Sequence, residues 1–394
     1  LVSVFFRKNR TFLSEWEYTT HFNNMENTKF LTEQIITYIG NKRKLLNEIS
    51  EEVENILFQL KIEKAKICDL FSGSGVVARK LKQYSSHLYV NDLEKYSCII
   101  NDCYLTNKED FNEDVYSELY DLIIHSEPIE GIITENYSPK NTFDIKEGER
   151  AFYTHENAIK IDTIRNAIDK IPESYKKFFI APLLYEASVH TNTSGVFKGF
   201  YKSKEKNIGK FGGDGENALD RIMGNIELKK PVFSNFSCQV TVFNKDANVL
   251  AEELSGLDIT YIDPPYNQHP YASNYFMLNT IVDNKLGNNI SKVSGIPDDW
   301  NKSLYNKKNE ISKVFENLIN NIDSKYIIVS YNNEGFISLD EMQRILSKYG
   351  ELKTREINYV AFRGSRNLKN RSKHTIEYIF VLKKFLKNIT KNII

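Results

Sequence analysis

The sequence predicts an α/β fold, a doubly wound and mostly parallel sheet with a module inserted into it, on three observations. Residues 65–71 (AKICDLF) and 87–91 (HLYVN) are short apolar runs, each closed by a turn and followed by a helical pattern, which is most simply a parallel βαβ unit. Strand-like runs return at 238–243, 257–262, 325–331 and 375–383, separated by helical patterns such as 338–349. Between these groups, over 107–235, the periodicity fades and polar residues dominate. There Gly195, Gly199, Gly209, Gly212, Gly213 and Gly215 crowd one stretch, as in a loop-rich insertion.

In chain order, residues 1–24 show neither a helical nor a strand period and precede Met25, the next conventional start after Leu1. This head reads as accessory or as an artefact of start-site choice, and is expected to be dispensable. From Ile35 through Tyr38, Gly40 and Lys42 a loop leads into a helix whose Leu45, Leu46, Ile49, Val53, Ile56, Leu57 and Leu60 recur at helical spacing. The first apolar run ends in the turn Ser72, Gly73, Ser74, Gly75, after which Val76, Val77 and Leu81 suggest a helix. The second ends at Asp92 and leads into a helix through Ile99 and Tyr104. Near the end, the low-acid run 362–374 (FRGSRNLKNRSKH) lies between two strands. The expected organisation is an N-terminal extension at 1–33, a main body at 34–110 and 236–394, and an inserted segment at 111–235.

Composition excludes more than it identifies. The chain has 394 residues, 41% hydrophobic and 26% charged, and its mean hydropathy of −0.45 suits a folded globular protein rather than a membrane or disordered one. Lys plus Arg is 52 and Asp plus Glu is 52, so a polyanionic partner must be met by a local basic surface. Cys68, Cys98, Cys103 and Cys238 form neither a CxxC pair nor a zinc-spaced set with histidines, which predicts a reduced, cytoplasmic setting and no metal. No stretch approaches the roughly 18 apolar residues of a membrane span.

Two clusters carry chemistry. A glycine turn after a strand lets a ligand approach the backbone and meet free N–H groups, a use that Asp69, Phe71, Gly73 and Gly75 fit. Asp92 ends the next strand 19 residues after Gly73, about where a ribose-binding carboxylate belongs, although capping the following helix would explain it equally well. The sharper cluster is Asp263, Pro264, Pro265, Tyr266 after the apolar run ending at Ile262. Paired prolines fix φ and remove two donors, so the Asp263 side chain and nearby carbonyls become a rigid set of acceptors suited to an amino group. Accepting both hydrogens of an exocyclic adenine amine would free its ring-delocalised lone pair for attack, and Tyr266 offers a flat face for the base.

Together FSGSG and DPPY resemble motifs I and IV of the S-adenosylmethionine-dependent N6-adenine DNA methyltransferases, and Tyr38, Ile39, Gly40, Asn41, Lys42 and Leu45 look like their motif X. With the insertion between motifs I and IV, the order is similar to that of the alpha group within restriction-modification systems, and the resemblance spans residues 35–384. It implies a Rossmann-like methyltransferase sheet with an inserted target-recognition domain. Tyr38 and Lys42 would then help hold the methionine end of S-adenosyl-L-methionine beside Asp69 and the Phe71, Gly73, Gly75 turn. Asp92 would bind the ribose, and Asp246 would accept from the cofactor's adenine amine. Asp263, Pro264 and Tyr266 would be catalytic, with Asp263 also bordering the cofactor. The segment His269, Pro270, Tyr271, Ser273, Asn274, Tyr275 is similar to the stretch after motif IV in a subset of the family. The sulfonium is already a good leaving group, so no metal is implied. Double-stranded DNA is the implied partner, and a cognate restriction endonuclease sharing its site is the further one such a system implies.

Two basic regions are candidates for DNA contact. Lys198, Lys202 and Lys210 are interleaved with Phe197, Phe200, Tyr201 and Phe211, a composition suited to phosphates and bases. Arg363, Arg366 and Arg371 lie in the run between two strands, where phosphate contact is expected. Two other readings stay open on the residues: an RNA base methyltransferase, and a catalytically silent nucleic-acid-binding protein. Motif X and the long insertion favour DNA over RNA, and intact Asp263 and Tyr266 favour activity.

Overall fold

The computed structural model describes residues 25–287, 289–360 and 374–385; residues 1–24, on which the expectation of a dispensable head falls, lie outside them. Seven strands form one sheet in the order β3-β2-β1-β4-β5-β7-β6. They are β1 (Ala65–Asp69), β2 (Ser85–Asn91), β3 (Gln239–Phe243), β4 (Leu257–Ile262), β5 (Ser324–Asn332), β6 (Gly350–Val360) and β7 (His374–Lys384). The pairs β1–β2, β1–β4, β2–β3 and β4–β5 are parallel, and β7 runs antiparallel between β5 and β6.

The central strands read as apolar runs because both of their faces are covered. Ile67, Ile259, Ile328 and Ile379 face one core, while Cys68, Ile262, Ile327, Val329 and Phe380 face the other. On the first face lie α1 (Thr28–Thr32), α2 (Leu46–Leu60), α3 (Val76–Leu81) and α4 (Lys95–Tyr104), with α2 burying Ile49, Val53, Ile56 and Leu57 at the spacing seen in the sequence. The fully buried Arg79 of α3 donates to the carbonyls of Phe30, Glu33 and Gln34, which fastens the chain around α1 to the sheet layer.

The expectation of a loop-rich insertion is wrong. It contains α5 (Glu113–Ile124), α6 (Ile132–Tyr137), α7 (His155–Ile168), the 17-residue α8 (Glu173–Val189) and α9 (Leu219–Met223), and only the stretch after α8 is glycine-rich loop. Helix α8 escaped notice because an amphipathic pattern needs a solvent face. Residues 178–184 of α8 are buried without a break, so no polar stripe marks the helical period. The insertion shares the first core, with Phe111, Tyr116 and Phe179 in the same cluster as Ile67 and Ile259. Arg165 of α7 also donates to the Ile281 and Val282 carbonyls of a later helix. After the insertion come α10 (Ala247–Glu253), α11 (Tyr271–Asn274), α12 (Phe276–Asp283), α13 (Ile311–Asn321) and α14 (Leu339–Ser347). Strand β6 was not among the expected strands, because it is an edge strand with mixed polar and apolar positions on both faces. No helix among the described residues is long and apolar enough to cross a membrane.

A shared core has a thermodynamic consequence. Phe179 is fully buried and stacks on Tyr116 at 4.7 Å, so Phe179→Ala should cost about 3–5 kcal/mol. Denaturant unfolding should stay a single transition; a separate early transition for the variant would show that the insertion folds independently.

Candidate active site

The strand order changes direction between β1 and β4, and a cleft opens at their carboxyl ends. Into it β1 delivers Asp69 and then the turn that carries Phe71, Gly73 and Gly75. This turn is tied down on every side. Ser72 N–H donates to Asn91 O at 3.0 Å, Gly73 N–H to Asp92 Oδ2 at 2.8 Å, and Ser97 Oγ to Gly73 O at 2.6 Å. Both glycines have positive φ, 50° at Gly73 and 77° at Gly75. The side-chain room they leave is filled by protein: a Cβ at Gly73 would lie 2.8 Å from Tyr38 Cε1, and one at Gly75 would lie 2.6 Å from Asn101 Oδ1. The glycines are therefore required by packing and backbone conformation, beside any ligand that approaches the turn.

Three acids stand around the turn. Asp69 is buried with neither oxygen hydrogen-bonded; the N–H groups of Phe71 and Ala78 face it without closing a bond. Burial, together with Asp263 and Asp92, holds its carboxyl well above the usual range. Asp92 lines the cleft while its oxygens accept from Gly73 and Glu94 N–H, the latter at 2.9 Å. It braces the turn and the approach to α4, but the N-cap position of that helix is Glu94 and no side chain caps it, so the reading of Asp92 as a helix cap does not hold. Glu94 also lines the cleft and was missed by sequence reasoning, although its place two residues after Asp92 was visible. Burial, with Asp92 beside it, pushes its carboxyl up to about 7.

On the β4 side, Asp263 meets an unexpected arrangement. Lys42 Nζ lies 3.0 Å from Asp263 Oδ1 and 2.9 Å from Glu377 Oε1, and donates to Gly40 O at 3.3 Å. Lys42 lines the cleft, but its ammonium is engaged by these acceptors rather than free for a cofactor, which corrects the role expected for it. Burial opposes its charge, yet the two carboxylates hold its pKa well above the ordinary lysine value. Burial pushes Asp263 up to about 6, with Lys42 pulling against it and Glu377 adding to it. Among the described residues no protein group donates to the second oxygen of Asp263. Glu377 lies in β7 and was also missed; a lone acid inside an apolar strand run was the available signal.

The Lys42 loop is held from α11. Tyr275 Oη accepts from Ile39 N–H at 2.8 Å and Tyr271 Oη donates to Ile39 O at 3.1 Å. Tyr38 lines the cleft and stacks on both rings, at 4.9 Å from Tyr271 and 4.8 Å from Tyr275. Tyr266 is half-buried and stands outside the cleft wall, as do Pro264 and Gly75; its ring lies beneath Lys42 and edge-on to Tyr331. At the far end, Asp246 lines the cleft and caps α10 by accepting from Asn248 N–H at 2.9 Å. Phe71 packs edge-on to Tyr305, a further cleft residue the sequence did not single out.

Lys198 and Lys210 are exposed and Lys202 half-exposed on a hairpin closed by a Lys202–Gly209 bridge, with Lys202 over the Phe200 ring and Lys210 3.6 Å from Asp214. The hairpin joins the site through Phe197 N–H, which donates to Asn274 O of α11 at 2.7 Å. Its aromatics face inward: Phe197 and Phe211 are buried, so the expectation that they offer base contacts does not hold for them. Arg363, Arg366 and Arg371 lie outside the described residues. Among the described residues, no group of three His, Cys, Asp or Glu side chains could hold a metal ion.

Comparison with known proteins agrees with this geometry. Residues 38–345 match the family described as D12 class N6 adenine-specific DNA methyltransferase. The chain is 31% identical to the type II methyltransferase M.NlaIII of Neisseria lactamica, over 89% of this chain and 99% of that one. It is 30% identical to M.CviAII of Paramecium bursaria Chlorella virus 1, over 83% and 93% of the two chains. Against M.FokI of Planomicrobium okeanokoites the identity is 30% over 88% of this chain, which spans about half, 52%, of that longer protein.

The contact between the turn and Tyr38 can be tested by a double-mutant cycle. Gly73→Ala should destabilise by about 1–2 kcal/mol from its left-handed backbone alone, and by more where the methyl meets Tyr38. Combined with Tyr38→Ala, the loss in denaturant midpoint should fall short of the sum of the single losses. Strict additivity would mean that the two positions do not touch.

Proposed function

The chain belongs to the D12 class of N6-adenine-specific DNA methyltransferases, and on that footing we propose how its cleft performs the reaction. The function is methyl transfer to N6 of adenine in DNA. The observation that carries the detailed reading is that Asp263, held by Lys42 through one oxygen, opens with the other onto the same cleft as the unpartnered carboxylate of Asp69. RNA methylation and silent nucleic-acid binding have no support from the family.

The cofactor we propose is S-adenosyl-L-methionine, which supplies a methyl group on a sulfonium when bound. The residues fit it. A buried carboxylate without a partner is costly unless a cation completes it, and Asp69 would take the methionine ammonium. Tyr38 and the Phe71, Gly73 turn would border the methionine end, Asp92 with Glu94 would meet the ribose hydroxyls, and Asp246 would accept from the adenine amine beside Phe71 and Tyr305. The alpha-group motif order and the division into 34–110, 236–394 and an inserted target-recognition segment at 111–235 are parts of this reading.

The target adenine leaves the duplex stack to reach the cleft, at a cost of a few kcal/mol. Asp263 and a backbone carbonyl beside it would accept the two N6 hydrogens, so the nitrogen would turn its lone pair towards the methyl carbon. That lone pair would take the methyl group that the sulfonium supplies, leaving a neutral thioether, and N6 would then shed one proton. Asp263, whose proton affinity burial has raised, stands where that proton leaves. Tyr266 offers its ring to the extruded base. Lys198, Lys202 and Lys210, with Arg363, Arg366 and Arg371, would neutralise phosphates. Relatives named type II methyltransferases support a modification enzyme with a cognate endonuclease as partner.

Asp263→Ala should lower single-turnover methylation by a hundredfold or so while calorimetry finds cofactor affinity nearly unchanged. Near wild-type turnover would remove Asp263 from the mechanism. The ionised carboxylate is the stronger acceptor and the only form that can take the proton N6 sheds, so the wild-type rate should fall as pH drops through about 6, the value to which Asp263 is raised. A rate flat down to pH 5 contradicts the assignment.

The role of the Tyr266 ring is separable from that of its hydroxyl. A 2-aminopurine at the target position should brighten on binding, and Tyr266→Phe should keep most activity. Tyr266→Ala loses a stacking surface worth roughly 1–3 kcal/mol and should favour mismatched over paired target adenines. Equal losses for Phe and Ala would assign the role to the hydroxyl.

A further inference from the structure

Glu377 is fully buried near the start of β7, in a run of otherwise apolar, well-packed residues. Its Oε1 accepts from Ser330 Oγ at 2.9 Å and pairs with Lys42 Nζ, whereas Oε2 has no partner. Burying a carboxylate this way is expensive, and an apolar side chain would fill the same space at lower cost. Packing therefore gives no account of it.

We propose that Glu377 is a positioning residue for methyl transfer, which acts by sharing the Lys42 ammonium so that the cluster around Asp263 keeps a net negative charge and the free oxygen of Asp263 stays turned to the target amine. Charge counting shows why a second carboxylate is needed. Lys42 and Asp263 alone form a neutral pair, whereas Lys42 with Asp263 and Glu377 carries a net charge of −1. As the N–C bond forms, N6 becomes positive; a fixed negative cluster stabilises that charge and a neutral pair does so far less. Geometry limits the lysine's pull as well. Its ammonium has three hydrogens and three acceptors, at Asp263, Glu377 and the Gly40 carbonyl, so it is held between the carboxylates and engages only one oxygen of Asp263. The inference rests on the reading of Asp263 as the amine acceptor.

The charged and titratable groups that face Asp263 are Lys42 from the loop before α2, Glu377 from β7, Asp69 from β1, Tyr261 from β4, and Tyr266 and Tyr271 from the segment after β4. Only Glu377 is both negative and bound to the same lysine. Its removal should lower the proton affinity of Asp263, because a nearby negative charge favours the protonated acid.

The test compares Glu377→Gln, Glu377→Asp and Asp263→Asn as full-length proteins, by single-turnover methylation of duplex DNA from pH 5 to 8. Calorimetric binding of S-adenosylmethionine and thermal unfolding report on folding. Glu377→Gln should bind the cofactor within about twofold of wild type, slow transfer about tenfold, and move the acid limb of the rate down by about one pH unit; both effects follow from one lost charge. Glu377→Asp keeps the charge but withdraws it, so it should slow transfer and leave the limb in place. A wild-type rate in Glu377→Gln, or a slowed rate with an unmoved limb, overturns the proposal, since a purely structural role lowers the rate without moving the limb. Should the Gln variant not fold, Glu377→Asp decides: a wild-type rate or a displaced limb overturns the proposal. Asp263→Asn separates the two layers. If it is inactive while Glu377→Gln behaves as wild type, only the inference fails; if it is active, the reading of Asp263 beneath it fails.

Discussion

An ammonium taken out of water stays charged only where acceptors surround it, and the buried Lys42 makes that demand on three distant parts of the chain. The loop before α2 must bring the lysine in, β4 must end at Asp263, and β7 must present Glu377. The antiparallel direction of β7 meets the third demand. In a parallel strand the early residues lie at the bottom of the sheet, far from the cleft. Because β7 runs the other way, its beginning lies at the carboxyl ends of its neighbours, with Glu377 in register with Asn332, the last residue of β5. The strand order and the ion cluster are thus linked: the reversed strand is what brings Glu377, the second carboxylate, from a strand's beginning to Lys42.

What the sequence revealed follows from the same distinction between local and distant causes. The strands β1 and β4 and the turns after them were legible because their signals are contiguous: an apolar run, then glycines or prolines that only a turn tolerates. Asp69, Asp92, Asp246 and Asp263 could be named because each ends or follows a strand at a spacing the resemblance recognises. The role of Lys42 was misread because its partners are set by tertiary structure, one of them near the opposite end of the chain. Helices α7 and α8 were hidden for a related reason, since burial on several sides erases the alternation from which a helix is read. At β6 the reverse holds, an edge strand too polar to stand out.

The glycines of the first turn carry the argument further. They face Tyr38 and Asn101, so that turn is fitted to a tyrosine belonging to another motif. Tyr38 in turn stacks on Tyr271 and Tyr275 of the segment after Pro264 and Pro265, and those tyrosines grip both backbone groups of Ile39. The lysine hairpin of the insertion is bonded to Asn274 between them. The Phe71–Gly75 turn, the Asp263 loop and the hairpin therefore meet at α11, a helix of four residues. In a close-packed interior a shift of one side chain must be taken up by its neighbours. Displacement of α11 would press on Tyr38 and Ile39 together, and through the Ile39–Lys42 loop on the carboxylate at Asp263. The three pieces are distant in sequence, yet they share one small helix as their common support, which explains why the insertion is packed into the catalytic core rather than hung from it on a linker.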